Sequence, residues 1–510
     1  MSAPPCLSRR RFLAAATPLV ASSATLAQEA GSATVWVDAA GRATDAAHAA
    51  LALLQSAPED GLRAPEDETR ALAHRARSAM TSEGAAAFAA GLDAALQRHL
   101  RALRHGQVDP ARLGFRVRRS AATVPDTGQV AEAARSGRLA ALAAAQRPVI
   151  GQYGRLREAL AHYRTLAERP WPPLPPAPAR LKPGQAWSEA PALRERLAAL
   201  GDLPSESASS AAAVFDDALA AALARFQERH GLTPDGVPGP ATWRALNVSP
   251  ARRVRQLELA LERLRWLPDL GGRRWIGINI PMYRLWAADL SGDQPLLTMP
   301  VVVGKALDTQ TPVLQEDLRH LIFRPYWNVP RSIVRGEILP ALNRRPDYLA
   351  RHDMELVAGG GDDARAVVAS PEHLAQLREG SLRLRQRPGP KNSLGLVKFV
   401  FPNAHDVYLH GTPAQSLFGR PRRDFSHGCV RLEDPVALAT WVLREQPDWS
   451  RDRVEAAMTG GPLSRRVELR TPIPVLLFYL TALVGPGSEA VQFAEDVYGH
   501  DARLRRALAR

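Results

Sequence analysis

Cysteine is almost missing from this chain of 510 residues, which has only Cys6 and Cys429. So sparse a supply excludes a disulfide-built scaffold. Lysine is nearly as scarce, limited to Lys182, Lys305, Lys391 and Lys398. The formal charge of +14 and the pI near 10.5 therefore come from arginine, which is spread over every segment. Such a balance permits nucleic-acid binding. With no basic cluster it reads as base composition rather than a built face, and nucleic acid is not expected as a partner. A surface of this sign also suits an anionic polymer or membrane. Long apolar runs are absent as well. Pro472 to Val484 is apolar but short and partly β-branched, which predicts a buried strand rather than a membrane span.

The N-terminus has a different character. Ser8-Arg9-Arg10-Arg11-Phe12-Leu13 precedes a short, alanine-rich run to Leu26, and Thr25-Leu26-Ala27 suits a signal peptidase. Residues 1–27 resemble a twin-arginine export signal. The expectation is a periplasmic protein with no stable membrane span once the leader is cut. Cys6 leaves with that leader, so Cys429 is expected to be the sole thiol, without an intramolecular partner.

The length allows two to four domains. From the leader to about Pro170 the spacing is helical, as in Ala47-Leu51-Leu54 and Leu92-Leu96-Leu100-Leu103. Turns are expected at Pro58 to Gly61 and at His105 to Pro110. Pro170 to Pro176 reads as a stiff, extended linker. Beyond it, Leu193, Leu197 and Leu200 form one apolar stripe, and Phe215, Leu219, Leu223 and Phe226 a second helix. A Gly/Pro-rich turn, His230 to Pro240, leads into a brief last helix. From Trp275 the period changes to two, which predicts strands at Trp275–Ile280, Thr298–Gly304, Leu396–Phe401 and Val407–His410. Ile333 to Arg385, polar, arginine-rich and broken by Gly359-Gly360-Gly361, reads as a partly helical insert between two strands. Inserts of this length are usually functional, often lids.

The chemistry gathers in Tyr408-Leu409-His410-Gly411-Thr412-Pro413 and Ser426-His427-Gly428-Cys429-Val430-Arg431-Leu432. A lone thiol near histidine is a candidate nucleophile, because an imidazole can take its proton and later return it to a leaving amine. If His410 does so, it is expected to lower the thiol pKa. Two histidines compete for the role. His410 ends a strand and can face the thiol from a neighbouring strand. His427, two residues before Cys429, shares its face only if the segment is extended. Gly411 and Gly428 permit tight turns that aim backbone amides at an oxyanion.

These two segments, with Phe323 to Pro330, Pro388 to Gly395 and Val491 to Tyr498, resemble the L,D-transpeptidases, in particular their large Gram-negative members. The Phe226 to Gly239 stretch resembles the three-helix peptidoglycan-binding module of wall enzymes. The resemblance implies a multidomain α+β protein. Its parts are an all-helical scaffold with the Pro-rich linker (28–185), the small module (186–248) and a mainly-β catalytic domain (252–510) with an inserted cap at 333–385. It implies Cys429 as nucleophile and His410 as base, oriented by the Gly411 carbonyl. Amides at His427, Gly428 and Cys429, with Tyr408, would hold the oxyanion. Arg431, Trp327 and Asn392 would bind substrate, although packing and turn roles fit the last two as well. The implied donors and acceptors are peptidoglycan stem tetrapeptides joined 3→3, with cell-wall synthesis proteins as further candidate partners and no metal or organic cofactor. Hydrolysis of the thioester, attachment of an outer-membrane lipoprotein lysine, and a non-catalytic wall-binding role remain alternatives. So does a zinc site built from His405, His410, His427 and Cys429.

Overall fold

The computed structural model describes residues 35–63, 65–177, 181–208, 211–268, 274–289, 296–485 and 490–509. The expected leader lies outside them. Among the described residues no helix is long and apolar enough to cross a membrane.

The chain forms two compact units. The first, drawn from residues 35–57, 63–101 and 123–146, is helical. Its helix Asp45–Gln55 buries Ala47, Leu51 and Leu54 and is capped by Thr44, whose hydroxyl accepts from the Ala47 amide. In the long helix Ser82–His105, Leu92, Leu96, Leu100 and Leu103 are all buried, so a three-to-four spacing becomes one apolar face.

The second unit holds the rest. Helix Ala190–Ala199 buries Leu193 and Leu197, and helix Asp217–Arg229 buries Leu219, Leu223 and Phe226. Phe215 is not helical. It pairs as a strand residue with Gln185, and Asp216 caps the helix that follows. Pro170 to Pro176 is no free linker either. The Leu174 amide donates to Asn247 Oδ1 at 2.8 Å, and Arg196 lies over the Trp171 ring at 4.0 Å. The Phe226–His230 motif is used in packing: His230 stacks on Phe226 and Phe493, and Arg229 pairs with Asp202.

The β core comprises β1 (Arg274–Asn279), β2 (Arg284–Asp289), β3 (Leu297–Gly304), β4 (Leu314–Phe323), β9 (Val397–Val400), β10 (Leu409–His410), β11 (Asp424–Ser426), β12 (Val430–Leu432) and β13 (Arg465–Phe478). Among the described residues its strands run β11-β3-β12-β10-β9-β4-β13-β1-β2, and a further pairing of β2 with β3 closes the sheet on itself. The apolar run from Pro472 supplies the end of β13 and the short strand Ala482–Val484. Val397, Phe399, Leu409, Val430 and Leu432 all enter the central apolar core. Strand alternation therefore turns Lys398, Tyr408, His410, Cys429 and Arg431 to the opposite face.

The insert has more apolar character than its sequence suggests. β5 (Trp327–Asn328), β6 (Met354–Ala358), β7 (Arg365–Val367) and β8 (Arg383–Gln386) form a separate sheet, ordered β5-β8-β6-β7. Ile333, Val334, Ile338, Leu342, Leu356 and Leu384 give it a core of its own. Its first strand precedes residue 333. The Gly359 to Gly361 stretch makes the β6–β7 turn, with positive φ at Gly359 and Gly361.

Candidate active site

Three neighbouring strands position the chemistry. Lys398 on β9 pairs with His410 on β10, which in turn lies beside Arg431 on the parallel strand β12. The chain just ahead of β12 runs alongside Tyr408, whose carbonyl accepts from the Val430 amide at 3.1 Å. Cys429 thus stands next to Tyr408, on the face that also carries His410.

His410 is buried. Its Nδ1–H donates to the Gly411 carbonyl at 2.6 Å. A carbonyl can only accept, so the tautomer is fixed and the lone pair is left on Nε2. Burial, reinforced by the Arg431 and Lys398 charges, pushes this histidine down to about 3, against the pull of the Gly411 and Leu394 carbonyls. Cys429 is half-buried and is the free cysteine of the described residues. Burial raises its thiol above the ordinary value, although Tyr408, Lys398 and Arg431 all favour the thiolate. The expected lowering of the thiol by His410 is therefore not found: the resting pair is neutral on both sides. No hydrogen bond joins them among the described residues. The thiol instead lies 3.8 Å from the Asp406 carbonyl oxygen.

Tyr408 is held protonated by burial and by the neighbouring sulfur, so its hydroxyl is a donor toward Cys429. Its ring lies 3.7 Å from Lys398 Nζ.

The loop before Cys429 is fixed from beneath. Gly428 has φ +111, a conformation that glycine tolerates and other residues rarely adopt. The Gly428 amide donates to Ser426 Oγ at 3.2 Å, and that hydroxyl donates to the Cys429 carbonyl at 2.5 Å. The Gly428 amide is thus engaged inside the loop and is not free for an oxyanion, contrary to expectation. The amides of His427 and Cys429 have no acceptor among the described residues. The Gly428 carbonyl accepts from Thr311 Oγ1 at 2.8 Å, and Thr311 Oγ1 accepts from the Gly304 amide at 2.9 Å. Tyr498 closes the chain, its hydroxyl donating to the Gly304 carbonyl at 2.6 Å and accepting from the Thr311 amide at 3.2 Å.

His427 is turned toward the insert. Its Nε2 lies 2.6 Å from Glu337 Oε1, on the single π-helical turn Val334–Ile338. Asn392 is 1% exposed, and its amide is taken up by the Pro325 and Arg387 carbonyls and the Leu394 amide. That geometry gives it the turn role and leaves nothing to offer a substrate. Trp327 is half-buried and packs on the core of the insert. Arg431 is half-buried, and its Nε has no partner among the described residues. Among the described residues no three of His, Cys, Asp or Glu are grouped to hold a metal ion, so the zinc alternative lacks a geometry.

Residues 273–475 match the L,D-transpeptidase catalytic domain model. Over those residues the chain is similar to the L,D-transpeptidases. Residues 28–160 match a scaffold domain and 188–246 a peptidoglycan binding domain. A Haemophilus influenzae protein whose name places it among the L,D-transpeptidases is 30% identical over 255 residues, half of each chain. The chain thus spans about half the length of that curated relative. A solved L,D-transpeptidase from Stackebrandtia nassauensis aligns with 60% of this chain and 97% of its own, at 14% identity and a TM-score of 0.23, too slight a likeness to argue from.

Sequence reasoning passed over four residues of this candidate site. Lys398 carried a signal in its rarity. Tyr498 lay in a stretch matched to the family but had no assigned role. Thr311 and Glu337 gave no signal, because each reaches the loop only through the fold.

Proposed function

We propose that this protein is a peptidoglycan L,D-transpeptidase that joins stem peptides 3→3 through a thioester on Cys429. In the first half-reaction His410 Nε2 takes the thiol proton as sulfur attacks the carbonyl carbon of the donor's third residue. The oxyanion is met by the unengaged amides of His427 and Cys429. The peptide C–N bond then breaks, the imidazolium returns the proton to the leaving nitrogen, and D-alanine departs. In the second, an amine on the third residue of another stem attacks the thioester. His410 takes its proton, and the thiol reforms as the amide is made.

The observation that carries this reading is the common face shared by Cys429, Tyr408 and His410 on adjacent strands of a matched catalytic domain. The Nε2 lone pair of His410 is free to accept a proton, and its contact with the thiol can tighten when substrate binds. Under this reading the leader delivers the protein to the periplasm, where its substrate lies. Incubation with purified disaccharide-tetrapeptide tests it. Expected are a protein adduct of the tetrapeptide less alanine, and a cross-linked dimer, both lost in Cys429→Ala. Tripeptide as sole product would instead make the enzyme a carboxypeptidase.

A further inference from the structure

Two cations beside the thiol lack a hydrogen-bond or ion-pair partner among the described residues. Elsewhere in the same unit the fully buried arginines are held by partners: Arg229 by Asp202, Arg263 by Asp501, Arg265 by Glu262 and Arg385 by Glu355, while Arg196 and Arg253 donate to backbone carbonyls. Folds pair buried charges because an isolated one is costly. Lys398 is half-buried, yet no hydrogen bond or ion pair holds it among the described residues. Its Nζ lies 3.7 Å from the centre of the Tyr408 ring. Arg431 is in the same position, with a buried Nε that no described residue satisfies. Asp362 and Asp406 act on Lys398, and Glu337 on Arg431, only through space, and Glu337 is already joined to His427.

The two cations are also aligned. Lys398, His410 and Arg431 form one row across β9, β10 and β12, with the cations on either side of the histidine. A site that leaves positive charge unpaired on both sides of its base is complementary to an anion. In the stem peptide, the terminal carboxylate is separated from the scissile carbonyl only by the leaving nitrogen and one α-carbon. We propose that Lys398 and Arg431 clamp the terminal carboxylate of the donor stem, laying its last peptide bond across Cys429. The proposal rests on the function proposed above. A guanidinium fork grips a carboxylate in two bonds while an ammonium supplies a compact charge, so the pair fixes both orientation and sign. A stem extended by one more residue would bring an amide in place of the carboxylate and leave both cations buried and unpaired. The clamp thereby selects chain ends.

The test uses Cys429→Ala protein, which cannot acylate, titrated calorimetrically with disaccharide-tetrapeptide and with its C-terminal carboxamide. Amidation is expected to weaken binding by about tenfold or more, as loss of a charged hydrogen bond does. Adding Lys398→Met should shrink that difference to about twofold or less, and Lys398→Arg should preserve it. Equal affinity for acid and amide in the parent overturns the clamp without reference to any Lys398 variant. So does an undiminished difference in Lys398→Met. The intact enzyme separates this from the reaction itself. Acid-selective binding with no adduct on Cys429 would sink the proposed reaction and leave the clamp standing. Adduct formation at equal rates from acid and amide would sink the clamp alone.

Discussion

Replacing Thr311 with valine keeps the side chain's shape and removes one hydroxyl. That hydroxyl donates to the Gly428 carbonyl and accepts from the Gly304 amide, and Thr311 is 0% exposed. The change therefore orphans two main-chain groups that water cannot reach. An unsatisfied buried group costs ~1–3 kcal/mol. Gly304 is held on β3 and cannot turn away, whereas the Gly428 carbonyl can swing, so a loss of roughly 2–4 kcal/mol is expected. The swing matters for catalysis. The Gly428 carbonyl and the Cys429 amide share one peptide plane, so turning the first away redirects the second. Loss of one oxyanion donor is worth about 2.7–4 kcal/mol, or roughly 10²–10³ in rate. Single-turnover acylation by a carbapenem-type β-lactam, followed by stopped flow, should show a saturating rate lower by about 10²-fold with little change in half-saturation. Thr311→Ser retains the hydroxyl and should recover most of the rate. A folded Thr311→Val enzyme that acylates at the parent rate would show that the Gly428 peptide is held by something else.

If the leader carrying Cys6 is removed, intact-mass analysis after iodoacetamide should show a single adduct, on Cys429. Labelling should be slow near neutrality and quicken with rising pH, because burial holds the thiol up; rapid labelling at mildly acidic pH would contradict this. His410→Ala should abolish acylation, whereas His427→Ala should only weaken it; the reverse pattern would exchange their roles. Burial pushes His410 down to about 3 and His500 down to about 4. In the unfolded chain both titrate near the ordinary histidine value of about 6.5, so the unfolded state binds more protons below that pH. Their stabilising contribution is complete above about pH 6.5 and is lost as pH falls toward 4 and then 3. The loss should reach several kcal/mol, since each tenfold difference in proton affinity between the folded and unfolded chains is worth about 1.4 kcal/mol. Denaturant midpoints that stay flat from pH 7 to pH 4 would refute it. The pair between His427 and Glu337 ties the insert to the loop before Cys429. If the insert keeps water from the thioester, Glu337→Ala should raise the ratio of tripeptide to cross-linked dimer by a few-fold, since a half-exposed polar contact of this kind is worth ~1 kcal/mol or less. An unchanged ratio would make the contact merely structural.

What the sequence by itself determined is what repeats locally. Leu92, Leu96, Leu100 and Leu103 are buried on one helix because a spacing of three to four residues is set within a few turns of chain. The period-two stretches became strands for the same reason, and the resemblance to the L,D-transpeptidases pointed to His410 and Cys429. Only the tertiary structure decided what lies beside them. Parallel pairing of β10 with β12 brings Cys429 to Tyr408 and sets Arg431 next to His410, a register that no local period specifies. Burial then reverses the expected polarity of the pair, holding the thiol protonated and the imidazole neutral. The loop carrying Cys429 is braced by Thr311, 117 residues earlier in the chain than Gly428. A hydrogen bond across that separation depends on where distant strands meet, and that is fixed by packing the whole domain rather than by any segment of it.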